Sequence, residues 1–148
     1  MAENSSSNEK LNYIEVVEKV FKDHDWNYNS KDNGNKKIFG LPFGAKNMPS
    51  IRLFMTVASY GDVKLNCYLA HEVAQEKRSA IIETLNKLNN QYRYITLSLD
   101  SDGDILAQYD FTIFGDAEAA DKQVGTMIFL VKDIMDKCYP EIMKTIWQ

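Results

Sequence analysis

Residues 51–69 read IRLFMTVASYGDVKLNCYL, two runs in which apolar and polar side chains alternate. Alternation with a period of two is typical of strands that bury one face. The apolar positions of both runs share a face only if an odd number of residues joins them, as in Ser59-Tyr60-Gly61. Glycine stands last in this loop, where a three-residue hairpin needs positive φ. We therefore predict an antiparallel hairpin from Ile51–Val57 and Val63–Leu69.

A second hairpin follows the same rule further along the chain. The apolar residues of 95–99 align with those of 105–109 only across the three-residue loop Ser101-Asp102-Gly103, which again ends in glycine. Because two separate segments obey one rule, the sequence predicts that both hairpins lie in the same kind of half-buried sheet.

Two shorter strands are predicted before the first hairpin. Trp26-Asn27-Tyr28 is interpreted as one, and Lys37–Phe43 as the other. Residues 31–35 separate them as a turn, because the Asn-Gly pair within this segment accepts positive φ at low cost. Pro42 has no N–H group, so the longer strand lies at an edge or ends near that residue.

Apolar residues recur at helical spacing in three other segments. The first helix begins near Asn8, where Ser6 and Glu9 have the spacing of a capping box. Before it, residues 1–7 are polar and rich in serine, so we expect disorder there. The second helix extends from about residue 74 to residue 90. Its predicted inward stripe consists of Arg78, Ile81, Ile82, Leu85 and Leu88.

The third helix follows Gly115 and has Asp116 as its N-cap. Pro140 is expected to kink this helix or to restart it. The elements then have the order α-β-β-β-β-α-β-β-α. This order predicts an α+β fold, in which helices cover one face of an antiparallel sheet. No repeat or linker interrupts residues 8–148, which we expect to form a single domain.

The composition and net charge argue against two classes of function, nucleic-acid binding and membrane insertion. The 148 residues carry a net charge of −4 and no cluster of Lys or Arg, which argues against nucleic-acid binding. No apolar run approaches the ~20 residues that a membrane span needs, and no secretory signal is visible. We therefore expect a cytoplasmic protein without membrane contact. Cys67 and Cys138 are expected to be buried, reduced thiols.

Three possible metal-binding or catalytic motifs each lack a feature that their chemistry requires. The run Asp100–Asp104 has glycine at its fourth position rather than at the sixth, so we interpret it as a hairpin turn and not as a calcium loop. His71-Glu72 begins like a zinc-protease motif, but Gln75 replaces the second histidine. A nucleophilic pair of Cys67 and His71 is disfavoured, because Cys67 has the parity of the buried face. We predict no catalytic residue, no metal and no cofactor.

The positive signal is the predicted outer face of the sheet, which is unusually apolar for a surface in water. The inferred register places Arg52 across from Tyr68 and Phe54 across from Asn66. Aromatic residues and arginine are enriched at protein interfaces, whereas ordinary cross-strand pairing is the alternative explanation. The candidate dimer or partner surface consists of Arg52, Phe54, Tyr68, Tyr94 and Leu106.

Some local strings carry a resemblance to a known family. They are Leu85–Asn89, Leu97–Asp100 with Asp102-Gly103-Asp104, and Tyr139–Ile142 at the end of the long helix. With the order of elements, they resemble the YbjN-like family, bacterial proteins that share the fold of type III secretion chaperones. The resemblance implies an α+β fold, frequent dimers and no catalytic residue. Members are described as sensory or stress-related regulators, and secretion chaperones are dimers that hold extended effector segments.

Two hypotheses of function follow. The first is a non-catalytic, chaperone-like or regulatory homodimer that binds another protein by strand addition or apolar patches. The second is a small-molecule sensor that holds a ligand between the sheet and the C-terminal helix, near Phe129 and Trp147.

Overall fold

Within residues 11–148, which the computed structural model describes, three helices and six strands follow one another in the predicted order. A turn of 3-10 helix, Gln75–Lys77, leads into the second helix. The elements are α1 Tyr13–Asp23, β1 Asn29–Asn33, β2 Lys36–Phe43, β3 Ile51–Ala58, β4 Asp62–Ala70, α2 Arg78–Gln91, β5 Thr96–Leu99, β6 Ile105–Thr112 and α3 Ala117–Trp147.

The six strands form one antiparallel sheet with the order β1-β2-β3-β4-β6-β5. The described helices pack on the same side, where α3 contacts both α1 and α2. The predicted α+β fold is therefore confirmed. Between sheet and helices lies one hydrophobic cluster, whose largest fully buried side chains include Phe21, Phe39, Leu53, Met55, Leu65, Ile81, Ile128 and Met135.

Both predicted hairpins are confirmed in register. Val57 pairs with Val63 across the loop of residues 59–61, and Leu97 pairs with Ala107 across the loop of residues 101–103. Gly61 and Gly103 have φ of 113° and 86°, values that L side chains rarely adopt. The two glycines therefore fix the loop lengths, and the loop lengths fix which side chains enter the core.

The first strand lies later in the chain than predicted. Trp26-Asn27-Tyr28 is not a strand, and β1 instead consists of the next five residues. Trp26 and Tyr28 pack against Phe21, with ring centroids 6.1 and 5.4 Å apart. Their spacing reflects this packing, whereas β1 is held in the sheet by backbone pairing with β2. The turn is shorter than predicted, because β1 and β2 are joined by Gly34-Asn35.

The start of α1 also differs from the prediction. Asn12 is the N-cap, and its side chain accepts a hydrogen bond from the Ile14 backbone N–H at 3.1 Å. The helix therefore begins at Tyr13 and not near Asn8. The predicted Ser6–Glu9 capping box and the predicted disorder of residues 1–7 lie outside the described residues.

The second helix starts four residues later than predicted, and one member of its stripe was wrong. Ile81, Leu85 and Leu88 are buried, but the side chain of Ile82 is 58% exposed. Consecutive helical residues lie about 100° apart, so Ile82 cannot share the buried line of its neighbour. Arg78 is half-buried and donates hydrogen bonds to the carbonyls of Val73 and Ser101, which ties α2 to the second hairpin.

The long helix α3 begins as predicted, because the Asp116 side chain accepts from the Ala119 N–H at 2.9 Å. It does not restart at Pro140 but continues to Trp147. Among residues 11–148, no helix is both long and apolar enough to cross a membrane. Cys138 of α3 and Cys67 of β4 are buried and unpaired, as expected.

The register argument predicts a specific effect at Gly61. A Cβ atom there would lie 2.8 Å from the carbonyl oxygen of Ile113, and the residue would keep a positive φ. We expect Gly61→Ala to lower the free energy of unfolding, measured in urea, by about 2 kcal/mol or more. The matched control is Gly44→Ala, where nothing lies within 4 Å of the added atom. Equal stabilities of the two variants would contradict this account.

Candidate functional site on the open face of the sheet

The side of the sheet that faces away from the helices carries most of the predicted surface. Side chains of even-numbered residues in β3, β4 and β6 point to this side, because their odd-numbered neighbours are in the core. Arg52 and Tyr68 are exposed, whereas Phe54 and Leu106 are half-buried. We call these four residues the outer patch.

The structure shows two close pairs within the outer patch, Tyr68 with Leu106 and Arg52 with Phe54. Tyr68 lies opposite Leu106 in the β4–β6 ladder, and Phe54 lies opposite Asn66 as predicted. The Arg52 guanidinium is 5.7 Å from the centroid of the Phe54 ring, a distance suited to a cation–π contact. The predicted pair of Arg52 and Tyr68 lies beyond Phe54, where the paired part of the β3–β4 ladder ends.

The rims of the outer patch are polar and ordered. Asn66 accepts a hydrogen bond from the Gln108 side chain at 3.1 Å, on the strands that carry Tyr68 and Leu106. The Tyr68 ring stacks on His71 with centroids 5.3 Å apart. An exposed apolar centre inside a polar rim is the usual anatomy of a protein interface.

A concavity of about 420 Å³ lies on the same face, toward the other end of the strands. Both charge signs line it, so it has no strong preference for an anion or a cation. Its charged and hydroxyl-bearing residues are Lys36, Thr56, Tyr60, Asp62, Lys64, Asp110 and Thr112.

Tyr94 is the one predicted surface residue that the structure places apart from the others. It has φ of 74° and precedes β5, so the alternation of the strand does not reach it. Its ring packs edge-on against Tyr109, with centroids 5.7 Å apart. Tyr109 lies opposite Leu65, a core residue, and therefore belongs to the helix side of the sheet.

Hydrogen bonds from backbone N–H groups explain the acidic residues of the hairpin turn Asp100–Asp104. The carboxylates of Asp100, Asp102 and Asp104 have oxygens within 4.8 Å of one another. Asp100 accepts from the N–H groups of Asp102 and Asp104, and Asp104 accepts from the N–H of Glu72. These bonds shape the hairpin loop and join it to the segment before α2, as a turn requires.

The two thiols are poor nucleophiles in this environment. Burial raises the pKa of Cys67 to about 11, although a hydrogen bond from the Arg52 backbone acts in the opposite direction. Burial also raises the pKa of Cys138 to about 11. Because the thiolate is the reactive form, both groups are neutral and unreactive near pH 7. His71 lies at the surface beside Tyr68, while Cys67 faces the core.

The two aromatic residues named for the sensor hypothesis are exposed on the helix side and do not enclose a ligand space under α3. The side chains of Phe129 and Trp147 are 66% and 82% exposed, and neither lies in the filled space between sheet and helix. Phe129 borders a groove of about 340 Å³ against the β2–β3 connection. Trp147 borders another, of about 380 Å³, against the segment before α2. Apolar residues surround most of α3, so periodicity alone could not assign its exposed side.

Comparison with known proteins supports this fold. The crystal structure of YbjN, "a putative transcription regulator from E. coli", superimposes with a TM-score of 0.54 at 8% sequence identity. The match covers 84% of this chain and 89% of the E. coli chain. At that identity the likeness shows the shared fold alone. No curated protein matches the sequence.

The sequence model of one family matches nearly the whole chain. That family is YbjN, described as "Putative bacterial sensory transduction regulator", and the match extends over residues 13–144. The element order and the sheet agree with this assignment. The protein therefore belongs to the YbjN family.

Proposed function

We propose that this protein is a non-catalytic regulatory module that acts in the cytoplasm as a homodimer, through the outer patch. The observation that carries the proposal is the outer side of the sheet, which no described helix covers. This side carries two close pairs, Tyr68 with Leu106 and Arg52 with Phe54. The family description supports a regulatory role. A second copy is the occupant we favour, because most soluble oligomers are symmetric dimers of one chain.

The energetics favour burial of the outer patch in an interface. Tyr68 keeps 44% of its surface exposed, although it lies beside Leu106 and His71. Burial of apolar surface yields roughly 25 cal/mol per Å². The neighbouring Asn66–Gln108 hydrogen bond satisfies one donor and one acceptor of these two amides. Their remaining N–H and C=O groups need polar partners in the interface, because an unsatisfied buried group is costly.

Two substitutions test the outer patch. We expect Phe54→Ser with Tyr68→Ser to halve the solution mass measured by light scattering, because the interface loses its aromatic centre. The fold should persist, since neither side chain is in the core cluster. The matched control is Phe129→Ser with Trp147→Ser, which removes two exposed aromatics from the helix side. If the control dissociates and the outer-patch variant does not, the interface lies elsewhere.

The non-catalytic assignment is tested at the thiols. Because the pKa of Cys67 and of Cys138 is about 11, we expect the native chain to react slowly with iodoacetamide at about pH 8. The rate should still be rising at about pH 10, where an ordinary thiol is already ionised. After denaturation in guanidinium both cysteines should react at the ordinary rate. Fast native labelling of Cys67 with an apparent pKa below about 8 would instead support a catalytic role.

A small-molecule sensor is the second candidate, and the groove beside Phe129 favours it. This groove lies between α3 and the residues that join β2 to β3. Lys132 lines it, with its Nζ 4.0 Å from the centroid of the Phe43 ring, and burial lowers the pKa of its amine. Two carboxylates also line the groove, but Asp133 pairs with Lys137, and Asp136 accepts from the N–H groups of Lys46 and Asn47. The Lys132 amine beside aromatic rings would therefore suit an amphipathic anion.

The sensor hypothesis has a direct test. Fatty acids and aromatic carboxylates should raise the melting temperature of the native chain if they bind in this groove. Lys132→Leu should remove that shift, whereas Lys36→Leu, in the concavity on the opposite face, should retain it. No shift with either class of ligand would exclude these compounds as the signal.

A further inference from the structure

The outermost ladder of the sheet is incomplete. β5 pairs with β6 only from Thr96↔Gln108 to Leu99↔Ile105. β6 continues to Thr112 and remains paired with β4 over that length. Residues 109–112 therefore have a strand on one side and, among the described residues, none on the other.

The direction in which each N–H and C=O group of β6 points identifies which of them lack a partner strand. The Ile113 N–H donates to Gly61, on the β4 side, and the Asp104 carbonyl accepts from Asp100, on the β5 side. Since N–H and C=O groups alternate along a strand, even-numbered residues of β6 point away from β4. The open hydrogen-bonding groups therefore belong to Asp110 and Thr112. No residue in 11–148 donates to or accepts from their backbone on that side.

Side-chain amides close this edge on both sides of the gap. Asn89 of α2 accepts from the Leu97 N–H and donates to the Leu97 carbonyl, as a neighbouring strand would. Gln123 of α3 makes the same pair of bonds with Phe114. Two amides thus protect the backbone before and after the gap, whereas Asp110 and Thr112 between them stay open. An unprotected stretch within a protected edge is the geometry that strand addition uses.

The side chains around the gap differ on its two faces. Tyr94, Tyr109 and Phe111 form a ladder of half-exposed rings on the helix side, with centroid spacings of 5.7 and 5.6 Å. The Asp110 carboxylate is exposed on the outer side and makes no ion pair of 4 Å or less within residues 11–148. By contrast, β1 at the other edge is polar on both faces. On the outer side Lys64 lies opposite Asp110 in the β4–β6 ladder, without an ion pair of 4 Å or less between them. The gap therefore offers an apolar wall on one face and a carboxylate free to pair on the other.

We propose that residues 109–112 bind an extended segment of another protein, which adds as a strand beside β6. Cross-strand pairing then dictates the segment: a Lys or Arg opposite Asp110 and an apolar residue opposite Phe111. Hydrogen bonds form with the N–H and C=O of Asp110 and Thr112. This surface is separate from the outer patch.

A second copy of the chain fits the gap poorly. A two-fold axis at Asp110 would bring two carboxylates face to face. An axis at Phe111 would place Phe114 of the copy opposite Gln108, where Thr96 already lies. An axis at Thr112 would require Phe114 of the copy to pair, although Gln123 already occupies its backbone. A short segment of another protein meets none of these obstacles.

Amide hydrogen exchange with a synthetic strand tests the proposal. The probe is the blocked peptide acetyl-Ser-Thr-Val-Lys-Val-Thr-amide, added antiparallel to β6 with its lysine opposite Asp110. Its control carries N-methyl groups on the lysine and on the threonine that precedes the first valine, because the N–H groups of these two residues face β6. The amides of Asp110 and Thr112 should exchange quickly in the free protein and at least about tenfold more slowly with the probe at ~1 mM. The control peptide should leave them unchanged, as should replacement of the probe's lysine by aspartate. Fast exchange with every peptide would overturn the proposal.

A proline provides the matching change in the protein. Thr112→Pro removes an N–H that points away from β4, so the chain should fold and lose the peptide. Phe111→Pro removes an N–H that pairs with β4 and should unfold the chain, which checks the assigned directions. The Phe54→Ser/Tyr68→Ser variant should still bind the probe, which separates this proposal from the dimer. Protection of Asp110 and Thr112 without peptide, constant on dilution or rising with dimer formation, would show another occupant and refute the proposal.

Discussion

The common parity of β3 and β4 is the constraint on which the rest of the molecule depends. Odd-numbered residues of both strands face the helices. In each hairpin a three-residue loop keeps the odd-numbered residues of its two strands on that face, and the β4–β6 ladder joins the two hairpins in the same register. A slip of one residue would carry Met55 and Leu65 into water and bring Lys64 into the core. Because burial of each such side chain is worth roughly 1.5–3 kcal/mol, no other register competes. The same parity turns the outer patch away from the three described helices.

Much of this architecture could be predicted from the sequence, because its causes are local. A glycine at the end of an odd loop fixes a hairpin, and Asp116 before an apolar run fixes the start of α3. β1 could not be found in this way, since all five of its residues are exposed and polar. Its strand conformation comes from pairing with the neighbouring β2, and a strand that is exposed on both faces shows no alternation of apolar and polar residues.

The candidate surface was predicted less completely, and the reasons are physical. Four of its five residues lie on strands where alternation holds, and they form two close pairs, Tyr68 with Leu106 and Arg52 with Phe54. Tyr94 does not, because one residue at positive φ reverses the side to which a side chain points. The exposure of Phe129 and Trp147 depends on how far α1 and α2 reach around α3. Because this depends on how the helices pack in three dimensions, the spacing of apolar residues within α3 does not predict which of them are exposed.

The short length of β5 is the least expected feature of the sheet. An extended Tyr94 would continue the ladder and pair with Asp110, since the register of β5 and β6 puts the two residues opposite each other. Instead the chain adopts a positive φ at a tyrosine, a conformation that costs on the order of 1–3 kcal/mol. The edge-on contact with Tyr109 returns about 0.5–1.5 kcal/mol, and Ile95 beside it is buried. The ring contact thus offsets part of the strain at Tyr94 and holds its ring on the helix side of the sheet. Because the backbone leaves the strand conformation at Tyr94, β5 ends before the position opposite Asp110, and the gap beside Asp110 and Thr112 follows from that one residue.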